Sequence, residues 1–135
     1  MSRTIYFDYN ATTPLDSAVR DAMLPFLTDS WGNPSSIHHI GQQARAVLDD
    51  VRDRAARLLK AKPSEIIFTS GGTEANNLAI FGTARHLASK GKHLITSAIE
   101  HHAVLHCFDY LEAKEGFKVT RLPVDSAGRV SPETL

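Results

Sequence analysis

Cysteine is almost missing from this chain: Cys107 stands alone among 135 residues, which excludes an internal disulfide framework. Net charge is missing as well, because fifteen Lys and Arg offset fifteen Asp and Glu. A neutral chain offers no basic surface for nucleic acid and no cationic face for an acidic membrane, so neither is expected as a partner. No apolar run approaches the ~20 residues that span a bilayer, and the start, Met1-Ser2-Arg3-Thr4-Ile5-Tyr6, lacks the long apolar region of a signal peptide. The expected compartment is the cytoplasm, which makes the glycosylation sequon Asn10-Ala11-Thr12 accidental. Internal repeats, low-complexity tracts and charge blocks are absent too, and with them any sign of a linker. What is present, 42% hydrophobic and 22% charged residues, is the composition of a globular domain able to bury a core.

Two amphipathic helices are expected first. Thr13-Pro14-Leu15-Asp16 has the form of a helix start, with Thr13 as N-cap, proline at the first helical position and an acid near the positive end of the dipole. Leu15, Val19, Ala22, Met23 and Phe26 then share one face. After the turn Trp31-Gly32-Asn33-Pro34-Ser35-Ser36, a longer helix carries Ile37, Ile40, Ala44, Val47, Leu48, Val51, Ala55, Leu58 and Leu59 at three- and four-residue steps. This helical segment is expected to occupy residues 1–64.

From Glu65 short strands and helices alternate: strand over 66–69, helix over about 73–89, strand over 93–97, helix over about 101–114, strand over 117–122. Lys90-Gly91-Lys92 and Glu115-Gly116 divide them, with glycine where a helix C-terminus favours a left-handed residue. Such alternation implies an α/β fold with parallel strands and right-handed crossovers over residues 65–135. Ser131-Pro132-Glu133 has the form of another helix start at the very end. Three strands also make a poor parallel sheet. The chain is therefore expected to be the front part of something longer, with the α/β portion incomplete.

Two stretches carry chemistry. In Thr69-Ser70-Gly71-Gly72-Thr73-Glu74, the glycines allow close approach of a ligand, Ser70 and Thr73 supply hydroxyl donors, and the following helix adds its positive end. A small phosphate monoester fits better than a nucleotide, because the Walker lysine and the G-x-G-x-x-G spacing are both missing. The plain alternative, a tight turn with Thr73 as a helix cap, stays open on spacing alone. The second stretch is Ile99-Glu100-His101-His102-Ala103-Val104, directly after the strand over 93–97. In a parallel sheet the carboxyl ends of the strands share one edge, so His101 and the glycine turn should face the same crevice. A histidine there can stack on an aromatic ligand or move protons near neutral pH, or it can simply lie on the surface at a helix start. Seven histidines raise the question of a metal, with His102 and His106 four apart and Cys107 adjacent. No third and fourth ligand pattern completes a zinc site, and no metal is expected. Cys107, mid-helix, reads as a small buried hydrophobe.

Four ordered motifs then carry a resemblance: Tyr6-Phe7-Asp8-Tyr9-Asn10-Ala11-Thr12-Thr13-Pro14, Gly32-Asn33-Pro34-Ser35-Ser36 with His38, Thr69-Ser70-Gly71-Gly72-Thr73-Glu74-Ala75-Asn76-Asn77, and Ile99-Glu100-His101-His102-Ala103-Val104-Leu105. In order and approximate spacing they resemble the cysteine desulfurases, the sulfur donors of iron-sulfur cluster assembly, over essentially the whole chain. The resemblance implies the fold of class V aminotransferases, namely the N-terminal portion of the large domain of aspartate aminotransferase-like enzymes, in a homodimer with pyridoxal 5'-phosphate (PLP) as cofactor. It implies that Gly72 and Thr73 hold the PLP phosphate, that His101 stacks on the pyridine ring and assists proton transfer, and that 10–14 and the Asn33 turn lie near the substrate entrance. It further implies removal of sulfur from L-cysteine, giving L-alanine and an enzyme persulfide destined for an acceptor or scaffold protein. The family's Schiff-base lysine, its aspartate at the pyridine nitrogen and its nucleophilic cysteine lie later than this chain reaches. Lys90, Lys92, Lys114 and Cys107 do not stand in their places, so these 135 residues alone are expected to be inactive. The rivals are a selenocysteine lyase or another class V enzyme, and a non-catalytic module that serves only to bind a partner.

Overall fold

The computed structural model describes residues 5–135; Met1-Ser2-Arg3-Thr4, which enter the reading of the N-terminus as leaderless, lie outside it. The chain gathers into two compact units, one ending at Ile67 and the other beginning at Phe68.

The first unit is helical. Its first helix, α1 (Ser17–Thr28), begins later than the Thr13-Pro14 pair predicts. The Asp16 carboxylate accepts the Ala18 and Val19 N–H groups at 2.8 and 3.4 Å and becomes the N-cap, since a charged acceptor outcompetes a hydroxyl for those orphan donors. None of α1 is buried within the chain, and Val19, Met23 and Phe26 each leave close to half their surface in solvent.

The second helix, α2 (His39–Leu59), follows a loop built by Asn33, whose side-chain oxygen accepts the Ser35 N–H at 2.9 Å while its carbonyl accepts that of Ser36 at 3.0 Å. His38 caps the helix through Nδ1, and Gly41 is buried against the loop. At the other end Lys60 takes the left-handed conformation, φ 53°, and turns its N–H back onto the Ala56 and Arg57 carbonyls. Ion pairs Arg45–Asp49, Arg52–Asp49 and Arg54–Asp50 line the polar side of α2. A single 3-10 turn, Pro63–Glu65, follows.

The strand expected over 66–69 does not form. Ile66 is extended, φ −93° and ψ 121°, but no strand among the described residues pairs with this stretch. A strand exists as one side of a hydrogen-bonded ladder, and extended backbone without a neighbour stays a connector.

The second unit is β-α-β with a helix in front: α3 (Gly72–His86), β1 (His93–Ser97), α4 (His102–Glu115) and β2 (Lys118–Leu122). The two strands pair in parallel from His93↔Lys118 to Ser97↔Leu122, as the alternation predicts. Gly116 adopts φ 70° and closes α4 through its N–H to the Leu111 carbonyl. Gly91 plays no such part, because α3 ends earlier, where the Leu87 N–H turns onto the Thr83 and Arg85 carbonyls. Ala84, Leu111 and Phe117 form the core, with Ile80, Phe81, Ala88 and Leu94 packed on it. Leu111 is fully enclosed, so truncating it to alanine would cost about 2–5 kcal/mol. Ser131 caps a closing 3-10 turn, Pro132–Thr134.

Candidate cofactor site

The start of α3 is an unfilled set of donors. Gly71 is the N-cap and offers no side chain to close the helix. The first hydrogen bond to a helical carbonyl partner runs from the Ala75 N–H to the Gly71 oxygen at 3.1 Å, which leaves the N–H groups of Gly72, Thr73 and Glu74 pointing out of the helix end. The Thr73 hydroxyl has no hydrogen-bond partner among the described residues, whereas that of Thr69 is spent on the Gly71 carbonyl at 3.2 Å. Beside Gly71 and Gly72 the space is open, with no atom within 4 Å of where a Cβ would stand. Donors, a free hydroxyl, room and the positive end of a four-turn helix together suit an anion the size of phosphate.

Glu74 was not among the residues singled out from the sequence. Its carboxylate reaches back to accept the Ser70 N–H at 2.6 Å, pinning the glycine turn to the first turn of α3. Hydrogen bonding from Ser70, its hydroxyl first and its backbone N–H second, holds the Glu74 carboxyl below the usual carboxylate range. The legible part of the signal was an acid in the first turn of the expected helix, near its positive end; the cap itself is Gly71 and not Thr73. By bonding to Ser70, Glu74 leaves the donors of Gly72 and Thr73 free.

His101 is the N-cap of α4, with φ −62° and ψ 148°. Its Nδ1 accepts the Ala103 N–H at 3.0 Å. An accepting Nδ1 carries no proton, so the neutral ring bears its hydrogen on Nε2. The cap therefore fixes both the ring's orientation and its tautomer, while the ring remains exposed.

Two contacts bring these helix starts to one edge. Arg85, at the end of α3, pairs with Glu115, at the end of α4, at 2.6 Å. About one turn further in, Phe81 meets Tyr110 edge to face, with centroids 5.6 Å apart at 86°. Contacts in the same order along both helices mean that α3 and α4 run parallel, and their N-termini lie together at the opposite end. Since α4 leaves the carboxyl end of β1, that end of the strands is the edge that Gly72, Thr73 and His101 share. An apolar groove bordered by Ala79, Thr83, Leu87, Leu94 and Phe117 runs along α3 and contains none of the three.

Cys107 is buried, its Sγ donates to the Ala103 carbonyl at 3.2 Å, and burial pushes the thiol up, all of which suits packing. Among the described residues no group of three or more His, Cys, Asp and Glu side chains could hold a metal, and no helix is long and apolar enough to cross a membrane.

The family model for class-V aminotransferases matches residues 5–135. This chain belongs to the class-V aminotransferase family. Among class-V relatives, a cysteine desulfurase IscS of Dictyoglomus turgidum is 55% identical over the whole chain. The chain spans 34% of that relative's length, so it corresponds to the N-terminal part of such proteins. A solved NifS-like protein superposes on 96% of the chain and 35% of its own, at a TM-score of 0.89 and 41% identity. A solved structure of SspA in complex with cysteine gives 0.85 and 43%, covering 96% of this chain and 37% of that one. The fold is thus the front portion of the class V, PLP-dependent type, α/β with parallel strands and flanking helices, as expected from the alternation of elements and the motifs.

Proposed function

We propose that this chain is the N-terminal part of a PLP-dependent cysteine desulfurase and that it supplies the phosphate cradle and the ring-stacking histidine of the cofactor site. The observation that carries the reading is the pair of helix starts at one sheet edge, one with unfilled donors and a free hydroxyl, the other with a ring held by its own cap. Gly72 and Thr73 would hold the phosphate through backbone N–H groups and the Thr73 hydroxyl, with the α3 dipole adding a favourable field. Glu74 keeps the turn shaped for this by holding Ser70. His101 would lie on the face of the pyridine ring and, with Nε2 carrying the proton, present a donor toward the reacting substrate. PLP, when bound, supplies an electron sink that the side chains themselves lack.

The substrate we assign is L-cysteine, with sulfur passed as a persulfide to an acceptor or scaffold protein, in a cytoplasmic homodimer. Relatives named cysteine desulfurase and the neighbour solved with cysteine support that choice. The test is made on the whole protein. Purified with PLP, it should release L-alanine and sulfide equivalents from L-cysteine, and Thr73→Ala should lose cofactor on dialysis. A hydrogen bond to a charged phosphate is worth about 1.5–3 kcal/mol, so retention should weaken about tenfold or more. Cofactor occupancy unchanged in Thr73→Ala would remove Thr73 from the cradle, and absence of alanine from cysteine would overturn the activity.

A further inference from the structure

Helix α4 carries a second group of histidines that the cofactor site does not use. His102, its first residue, and His106, one turn later, are both exposed, and their ring centroids lie 5.3 Å apart with planes inclined by 32°. Neither imidazole has a hydrogen-bond partner among the described residues, in contrast to His101, whose Nδ1 caps the helix, and His93, whose Nε2 meets the Thr120 hydroxyl at 2.8 Å.

We infer that His102 and His106 form a two-imidazole chelate on the outer face of α4 that takes one divalent transition-metal ion of the nickel, copper and zinc class. The geometry carries this. Metal–nitrogen bonds of about 2.0–2.1 Å put each ring centroid about 3.2 Å from the ion, and two rings on a tetrahedral ion about 5 Å apart. The observed centroid separation of 5.3 Å matches that spacing. Neutral imidazole suits these metals and not magnesium or calcium, which take oxygen ligands. Asp109, three residues beyond His106 on α4, is held by Arg121 at 2.6 Å, and the Cys107 thiol is buried, so the protein supplies two ligands and water fills the rest. Such a site is exchangeable and differs in kind from the closed, four-ligand zinc centre that the sequence lacks. Because it joins the first and second turns of α4, an ion there staples the helix start on which His101 is the cap.

The test is a calorimetric titration of tag-free whole protein with nickel chloride in a non-chelating buffer near neutral pH, for wild type, His102→Ala, His106→Ala and, as a control on α3, His86→Ala. Wild type and His86→Ala should share one saturable event with dissociation in the micromolar range. Each α4 variant should weaken it about tenfold or more, since a chelate's second bond forms at high effective concentration. Nickel should also raise the melting temperature of wild type and not of the α4 variants. Both residues are exposed, and unchanged circular dichroism checks that the variants fold. An isotherm unaltered by either α4 substitution, or no binding by wild type at millimolar nickel, overturns the site. Cofactor retention and turnover do not enter these readouts, so failure here leaves the desulfurase proposal standing, and the reverse holds too.

Discussion

Arg85 grips Glu115 across thirty residues of sequence, with Nη2 2.6 Å from Oε1 and Nε 3.2 Å from both carboxylate oxygens. Hydrogen bonding from the Arg85 side chain is the main reason the Glu115 carboxyl is held below its ordinary value, and the same bond raises Arg85. A depressed folded value means that the stabilisation is present above the unfolded glutamate value of about 4.3 and is lost as pH falls through the folded one. Urea titrations of wild type and Arg85→Met should therefore differ near pH 7 and converge as pH falls below the folded glutamate value. A gap that persists in acid would assign the effect to Arg85 packing on the Phe81 ring, 4.8 Å away, and not to the ion pair.

The cap that His101 provides and the ring stacking we propose for it can be separated by substitution. His101→Asn keeps a side-chain acceptor for the Ala103 N–H and should fold with the stability of wild type, whereas His101→Ala loses a cap worth about 1 kcal/mol. Both should lower kcat for cysteine in the whole enzyme and alter the visible spectrum of bound PLP, because both lose the ring. Wild-type kcat in His101→Asn would show that the residue matters as a cap alone.

Gly41 lets the loop carrying Asn33 settle on α2. A Cβ there would stand 2.8 Å from the Asn33 carbonyl oxygen and closer still to that of Ser36, and both are backbone atoms that cannot swing aside. Gly41→Ala should cost about 1–3 kcal/mol, read as a lower urea midpoint at unchanged slope.

Lys60 holds a left-handed backbone, at φ 53° and ψ 37°, and its side chain has no hydrogen bond or ion pair among the described residues. Lys60→Gly should relieve up to about 1 kcal/mol of that strain and raise the melting temperature. Lys60→Val, branched at Cβ, should lower it, and two shifts of the same sign would refute the strain argument.

Local chemistry made much of this legible. Periodicity and turn residues located β1 to its end residues and placed Gly116 as a left-handed cap, because each rests on interactions only a few residues apart. Thr13 misled because two hydroxyl or acid caps compete within four residues, and sequence spacing does not rank Asp16 above it. The stretch over 66–69 misled for the opposite reason: its β-branched and aromatic residues suit a strand, but pairing is a property of the neighbour and not of the segment. At the site, Gly72, Thr73 and His101 stood out from glycine, hydroxyl and helix-start signals. Their shared edge was expected from strands with a common carboxyl end, one of which, over 66–69, does not form; the Arg85–Glu115 and Phe81–Tyr110 contacts, taken together, show instead that α3 and α4 run parallel with their starts at one end.

The parallel pairing of β1 with β2 also sets an order of events during synthesis. His93–Ser97 leaves the ribosome before its partner exists, and Lys118–Leu122 follows only after all of α4. Until Leu122 emerges, β1 is a bare edge of backbone donors and acceptors, open to pairing with another nascent chain. Translation speed through α4 thus becomes a determinant of yield, and slow codons placed between Ser97 and Lys118 should increase aggregation of the newly made protein.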